Sequence, residues 1–342
     1  MTRHFLPRLV RPLALCALLI AISASPRAVD VAAAQAQSPV AGAAALVKQR
    51  RYAEAQRVLA PYARAHPADG AAALWLGQAY LGQDSSDQAV AWLEKAAPRL
   101  RTAEAYMALA QAYGAQASEA MLFSQPFLTR KLRDAMQTAV DLEPRNVKAR
   151  LALMQFHLGT PWLYGGSKGT AEEQVAQLNR VSPYFGSVGR ALLQANTNDI
   201  PGAERTLAAL GRQYPDSADP AAMLSGLYRQ RRQWDQAWAV LDAFQRRNPA
   251  NVRILLDVGA TALASNQRLP QGERALAAYI AAPRGEDMPA ATVARLQLGQ
   301  IYEKSGRKEL ARAQYQQALR EDPHMLPARS ALKALDRPAP RA

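Results

Sequence analysis

Catalysis needs reactive side chains that converge, and this sequence scatters them. Its histidines are His4, His66, His157 and His324. None has a second histidine three or four residues away, the spacing by which one helix face offers two metal ligands. His66, His157 and His324 are expected as surface or turn residues. Glu172 and Glu173 are adjacent rather than opposed across a cleft, so they make no acid–base pair. Placed at the start of a helix, they would instead favour the positive end of its dipole. No G-x-S-x-G elbow occurs. Gly165-Gly166-Ser167-Lys168 lacks both the spacing of a phosphate-binding loop and the strand that precedes one. The single cysteine, Cys16, lies in an apolar N-terminal run, which leaves nothing downstream for disulfides, zinc–cysteine sites or thiol catalysis. The reading is a non-enzymatic chain with no cofactor and no metal.

Side chains suited to recognition are better supplied. Gln78, Gln111, Gln155 and Gln300 recur at related positions. A glutamine amide both donates and accepts, so a ladder of them suits the backbone of an extended peptide. Lys148 and Arg253 fall in a similar phase. Thr160–Lys168 sets Trp162 and Tyr164 beside two glycines and Lys168, aromatics on a flexible turn that suit a binding edge or packing on a neighbouring element.

What must position these residues is a series of short helices. From about Ala41 the chain alternates amphipathic stretches of roughly 12–15 residues with short turns. Pro183, Pro215, Pro249, Pro283 and Pro323 mark the turns, at separations of 32, 34, 34 and 40 residues. The clearest unit runs Leu298-Gly299, Tyr302, Ala311, Tyr315, Ala318 and Pro323. A small residue late in a first helix can face a small residue early in a second, here Gly299 and Ala311, so the two cross closely. Proline then stops the second helix, because it lacks an amide donor and clashes with the preceding turn.

This pattern resembles the tetratricopeptide repeat, a helix–turn–helix unit of about 34 residues. Other units share the phase: Leu76-Gly77, Tyr80, Ala89, Leu93 and Ala96; Leu224-Ser225, Tyr228, Ala237, Leu241, Phe244 and Pro249; and, less typically, Ala191, Ala203, Leu207, Leu210 and Pro215. Val258-Gly259, Ala275 and Pro283 give a unit whose second helix looks out of phase. The third unit carries about ten extra residues around Gln116–Gln125, and the fourth about five in its Thr160–Lys168 turn. The latter turn is similar to one in uncharacterised bacterial periplasmic repeat proteins. The resemblance implies an all-α, right-handed superhelix of about eight repeats over residues 41–336, with a C-terminal capping helix near 325–336. Its concave groove would be lined by the first helices, where Gln78, Gln111, Lys148, Gln155, Arg253 and Gln300 are expected to contact a partner. Trp162, Tyr164 and Lys168 would contact it from the loop. The Lys–Asn–Arg clamp by which some members hold a terminal carboxylate is incomplete here, with Gln in place of Asn.

Composition supports this. Aromatics are only 7%, and abundant alanine suits closely approaching helices. The formal net charge is +14, yet no nucleic-acid motif accompanies it. Arg229, Arg231, Arg232, Arg246 and Arg247 could attract an acidic polysaccharide or an anionic membrane surface. Trp75, Trp92, Trp234 and Trp238 are expected mainly as core. At the N-terminus, Arg3, Arg8 and Arg11 precede an apolar run from Leu13 to Ile22, and Ala34-Gln35-Ala36 reads as a cleavage site, the layout of a secretory signal peptide. The expected organisation is a signal peptide over 1–36, a flexible leader over 37–40, the repeat array, and a disordered tail over 337–342. That makes the chain a periplasmic or secreted scaffold for a protein partner of the cell envelope.

Overall fold

The computed structural model describes residues 39–119, 125–283 and 291–335. The signal segment with Cys16 and Ala36, and the tail beyond 336, lie outside these residues. Among them there are seventeen α-helices and no strand. Eight antiparallel pairs succeed one another: α1 (Pro39–Lys48) with α2 (Tyr52–Ala65), α3 (Gly70–Leu81) with α4 (Ser86–Leu100), α5 (Ala103–Glu119) with α6 (Gln125–Leu142), α7 (Val147–Gly159) with α8 (Lys168–Val181), α9 (Pro183–Asn196) with α10 (Ile200–Gln213), α11 (Ala218–Gln230) with α12 (Trp234–Arg247), α13 (Leu255–Ser265) with α14 (Leu269–Ala281), and α15 (Ala291–Lys304) with α16 (Lys308–Glu321). Helix α17 (Leu326–Leu335) closes the array. The first helix starts at Pro39, inside the span read as leader, because Val40, Ala43 and Val47 are buried against the second and third helices.

The first helices of successive pairs touch one another: α1 with α3, α3 with α5, α7 with α9, α11 with α13 and α13 with α15. No second helix makes a comparable contact with the next second helix among the described pairs. A row whose members meet is the inner row of a curved stack, so the first helices line the concave face.

The close crossings work differently from the small-on-small contact expected. A Cβ added to Gly77 would lie 2.5 Å from Leu93 Cγ, one on Gly299 would lie 2.4 Å from Tyr315 Cε1, and one on Gly259 would lie 2.4 Å from Leu276 Cγ. The small residue of the first helix receives a large side chain, one turn beyond the small residue of the second. Leu93, Leu276 and Tyr315 are fully buried. This also resolves the seventh unit. Its partner residues are Gly272 and Leu276, displaced by one because the α13–α14 turn holds two left-handed residues, Asn266 and Arg268. Most other turns between paired helices hold one, at Arg50, Asp84, Gly165, Asn198, Arg232 and Gly306.

Buried residues form six linked clusters, each bridging neighbouring pairs, with Tyr80 and Trp92 shared between the first two. Polar bonds repeat at the same period. Arg307 grips Glu273, 34 residues earlier, through bonds of 3.1 and 2.6 Å. Tyr184 Oη lies 2.8 Å from Ser217 Oγ. Asn248 donates to the Pro215 carbonyl at 2.8 Å. The helices of the third unit are long, 17 residues in α5 and 18 in α6, and residues 120–124 between them lie outside the described residues. The added end of α5 bonds back to α4, with Ser86 donating to Glu119 at 2.7 Å and Gln116 to Asp87 at 2.7 Å.

Candidate functional site: the concave groove and the Thr160–Lys168 edge

Val47 and Lys48 from α1, Tyr52 from α2, Trp75, Gln78 and Leu81 from α3, and Gln111 from α5 surround one hollow of about 440 Å³. Asp69 starts α3 by accepting the Ala72 amide at 3.0 Å, which fixes the helix carrying three of these side chains. Trp75 is half-buried: it packs against the core cluster, as its helical spacing suggests, and its remaining surface forms a wall of the groove. The Lys48 ammonium lies 5.9 Å from the centre of its ring, within reach of a cation–π attraction. The hollow thus combines an indole, two amides and a cation. A backbone can hydrogen-bond there beside an apolar anchor.

The ladder does not run unbroken along the groove. Gln155 is exposed on α7, outside this hollow. Gln300 belongs to a separate hollow of about 400 Å³ with Leu263, Glu303 and Lys304. Lys148 is exposed at the second residue of α7. Arg253 is half-exposed and pairs with an acid of its own chain, its guanidinium lying 2.7 Å from Asp219.

Arg229 also departs from the expected surface patch. Its Nη1 donates to Thr261 Oγ1 at 3.1 Å and its Nη2 lies 3.3 Å from Asp257 Oδ1. Burial pushes the Asp257 carboxyl up, and the charge and hydrogen bonds of Arg229 oppose that rise. Arg231 and Arg232 sit just before α12, whereas Arg246 and Arg247 end it. Some 14 residues of helix separate the two pairs by about 20 Å, so they do not form one patch. Trp238 is core, at 1% exposure.

The turn between α7 and α8 is a tight edge. Trp162–Tyr164 form a single 3₁₀ turn. Gly165 has φ +95°, and a Cβ on Gly166 would fall 1.7 Å from the Thr160 carbonyl oxygen. Only glycine permits that closure. Ser167 donates its amide to the His157 carbonyl at 3.2 Å, and its hydroxyl caps α8 by accepting from Thr170 N at 3.2 Å. Trp162 is 83% exposed and Leu163 69%. A shallow pocket of about 200 Å³ joins His157, Thr160, Trp162 and Lys168 to Asn196 and Thr197 of the next repeat. The loop lies against α6 of the preceding repeat and still presents its indole outward. Lys168 is paired with Glu172 at 3.7 Å. Glu172 and Glu173 lie in the second turn of α8, past the helix end where the dipole argument had placed them.

His157 is buried rather than a surface residue, because the loop folds over the end of α7. Burial lowers its pKa, its hydrogen bond to the Gly165 backbone opposes that, and Arg133 adds to the lowering. His66 stacks on Tyr62, with ring centroids 4.2 Å apart. His324 meets Asp84 at 3.3 Å.

Stacked helix pairs with a concave inner face define an α-solenoid. Models of the tetratricopeptide repeat match residues 40–104 and 293–325, so the chain contains tetratricopeptide repeats at both ends of its array. It is similar to a tetratricopeptide repeat protein from Parabacteroides merdae, with 13% identity, TM-score 0.50, and coverage of 87% of this chain and 98% of that one. It is also similar to yeast Tom70, with 11% identity, TM-score 0.56, and coverage of 84% of this chain and 58% of that one. At these identities the likeness concerns the fold alone. No curated protein matches the sequence. The fold is that of a protein–protein interaction scaffold.

Proposed function

We propose that this chain is a non-catalytic scaffold of the bacterial cell envelope, exported by its N-terminal segment and cleaved near Ala36. It binds an extended segment of a partner protein on its concave face. The observation that carries this is the hollow where Lys48, Tyr52, Trp75, Gln78 and Gln111 meet. An apolar side chain of the guest packs on Trp75 while its backbone pairs with the two amides. The Trp162–Tyr164 edge supplies a second contact, since aromatic side chains offer large contact area at low entropic cost.

Affinity capture from envelope extracts, followed by mass spectrometry, tests this. Trp75→Ala is expected to deplete the captured partner, and Trp162→Ala with Tyr164→Ala to weaken its retention while leaving helicity intact. An unchanged capture profile in Trp75→Ala would overturn the groove reading. The alternative is an acidic polysaccharide or anionic membrane surface bound through arginines. Such binding would collapse between low and moderate ionic strength, whereas groove binding depends on salt far less. The pairing of Arg229, Arg253, Arg268, Arg295 and Arg307 with acids of their own chain weighs against this alternative.

A further inference from the structure

The two ends of the array meet. A cleft of about 490 Å³ is lined on one side by the α1–α2 and α3–α4 turns, including Arg50, Arg51, Glu54, Gln83 and Asp84. On the other side lies the end of α16 and the turn after it, including Arg320, Asp322 and His324. His324 Nδ1 is 3.3 Å from Asp84 Oδ2, across 240 residues of sequence. Nothing local brings them together, so the eight pairs have turned through a full circuit. This cleft shares Tyr52, Leu81 and Gly82 with the groove hollow, so seam and groove are continuous.

We propose that this contact is a reversible clasp: shut, it closes the array around its inner face; open, it gives a guest side access to the groove. The closing pair is exposed, 44% for His324 and 62% for Asp84. Exposed pairs of this kind hold weakly, which suits a contact that must part. No apolar cluster crosses the seam among the described residues. Other charges there are partly spoken for: Arg51 grips Glu54 at 2.6 Å, and Arg295 holds Glu321 at 2.7 Å. Guest access rests on the groove reading; the clasp itself does not.

The test therefore uses no guest. In the full chain with Cys16→Ser, Gln83→Cys and Arg320→Cys place thiols on opposite walls and leave Asp84 and His324 intact. A short bismaleimide is expected to give an intramolecular crosslink, identified by mass spectrometry of the joined peptides. Adding His324→Glu sets a carboxylate against Asp84, near Glu54, Glu321 and Asp322. The crosslink yield is then expected to fall several-fold and the small-angle X-ray scattering radius to grow, with unchanged circular dichroism. Only singly modified thiols in the parent, or a yield and radius untouched by His324→Glu, would overturn the clasp. Either result can occur whether or not Trp75→Ala loses a captured partner, so the two readings fail separately.

Discussion

The inner face is built from one repeat, yet its two halves treat polar side chains in opposite ways. Toward the N-terminus, Gln78, Gln111 and Lys48 gather around a half-buried indole, and no acidic side chain lines their hollow. Toward the C-terminus, three arginines are paired with groups of their own chain, while Lys304 stays exposed beside Gln300. Arg229 bonds Asp257 and Thr261, Arg253 bonds Asp219, and Arg295 bonds Glu321. The difference teaches that a groove-facing position is not by itself a binding residue. A guest must share or displace the acids already bound to those arginines, whereas the N-terminal amides are open to it.

The largest effects should be common to both halves, because they touch the shared crossing. Gly77→Leu and Gly299→Leu should each destabilise by about 1–3 kcal/mol through overpacking against Leu93 and Tyr315. Urea unfolding measures this, and a loss in only one of the two would mean the halves do not share a crossing. Next is Arg229→Ala, which strands Asp257 in its desolvated site and should cost about 1–2 kcal/mol near neutral pH. The sign with pH follows from the direction of the shift. Burial already raises the folded Asp257 carboxyl above its unfolded value, and removing Arg229 raises it further. Ionised Asp257 then works against folding, and the deficit shrinks as pH falls through the folded pKa. Unfolding at pH 7 and pH 4 reads the change, and a deficit that grew on acidification would break the account. Arg253→Ala removes a half-exposed pair and should cost less than about 1 kcal/mol. Smallest is Gln78→Ala with Gln111→Ala, expected within about 0.5 kcal/mol of the parent. The same double change should weaken guest capture, so a large stability loss with unaltered capture would make these amides structural.

Much of the fold was legible because its spacing is local. Gly299, Ala311, Tyr315 and Pro323 repeat the order of Gly77, Ala89 and Leu93, and eight helix pairs with a final helix follow from that rhythm. The seventh unit reads as out of phase in the sequence, and the reason is a single extra turn residue that shifts every later position by one. For the third unit, insertion length alone could not say how much of the added chain is helical, and α5 and α6 take up part of it. At the site, Gln78 and Gln111 were read correctly as neighbours, and Trp162 as exposed. Lys48, Tyr52 and Trp75 were missed as their companions, for nothing in one helix shows which face a curved stack leaves open. Trp75 sits at a core-like spacing, and only the course of α1 past it reveals a groove wall.

The sequence by itself determined which segments are helices, how they pair, and which small residues let them cross, since each of these depends on side chains within one 34-residue period. Tertiary structure alone decided that Arg229 and Arg253 are spent on Asp257 and Asp219, that His157 lies beneath a folded loop, and that Asp84 meets His324. The physical reason is that a small rotation between neighbouring repeats, invisible in any one of them, accumulates along eight and sets where distant surfaces come to rest.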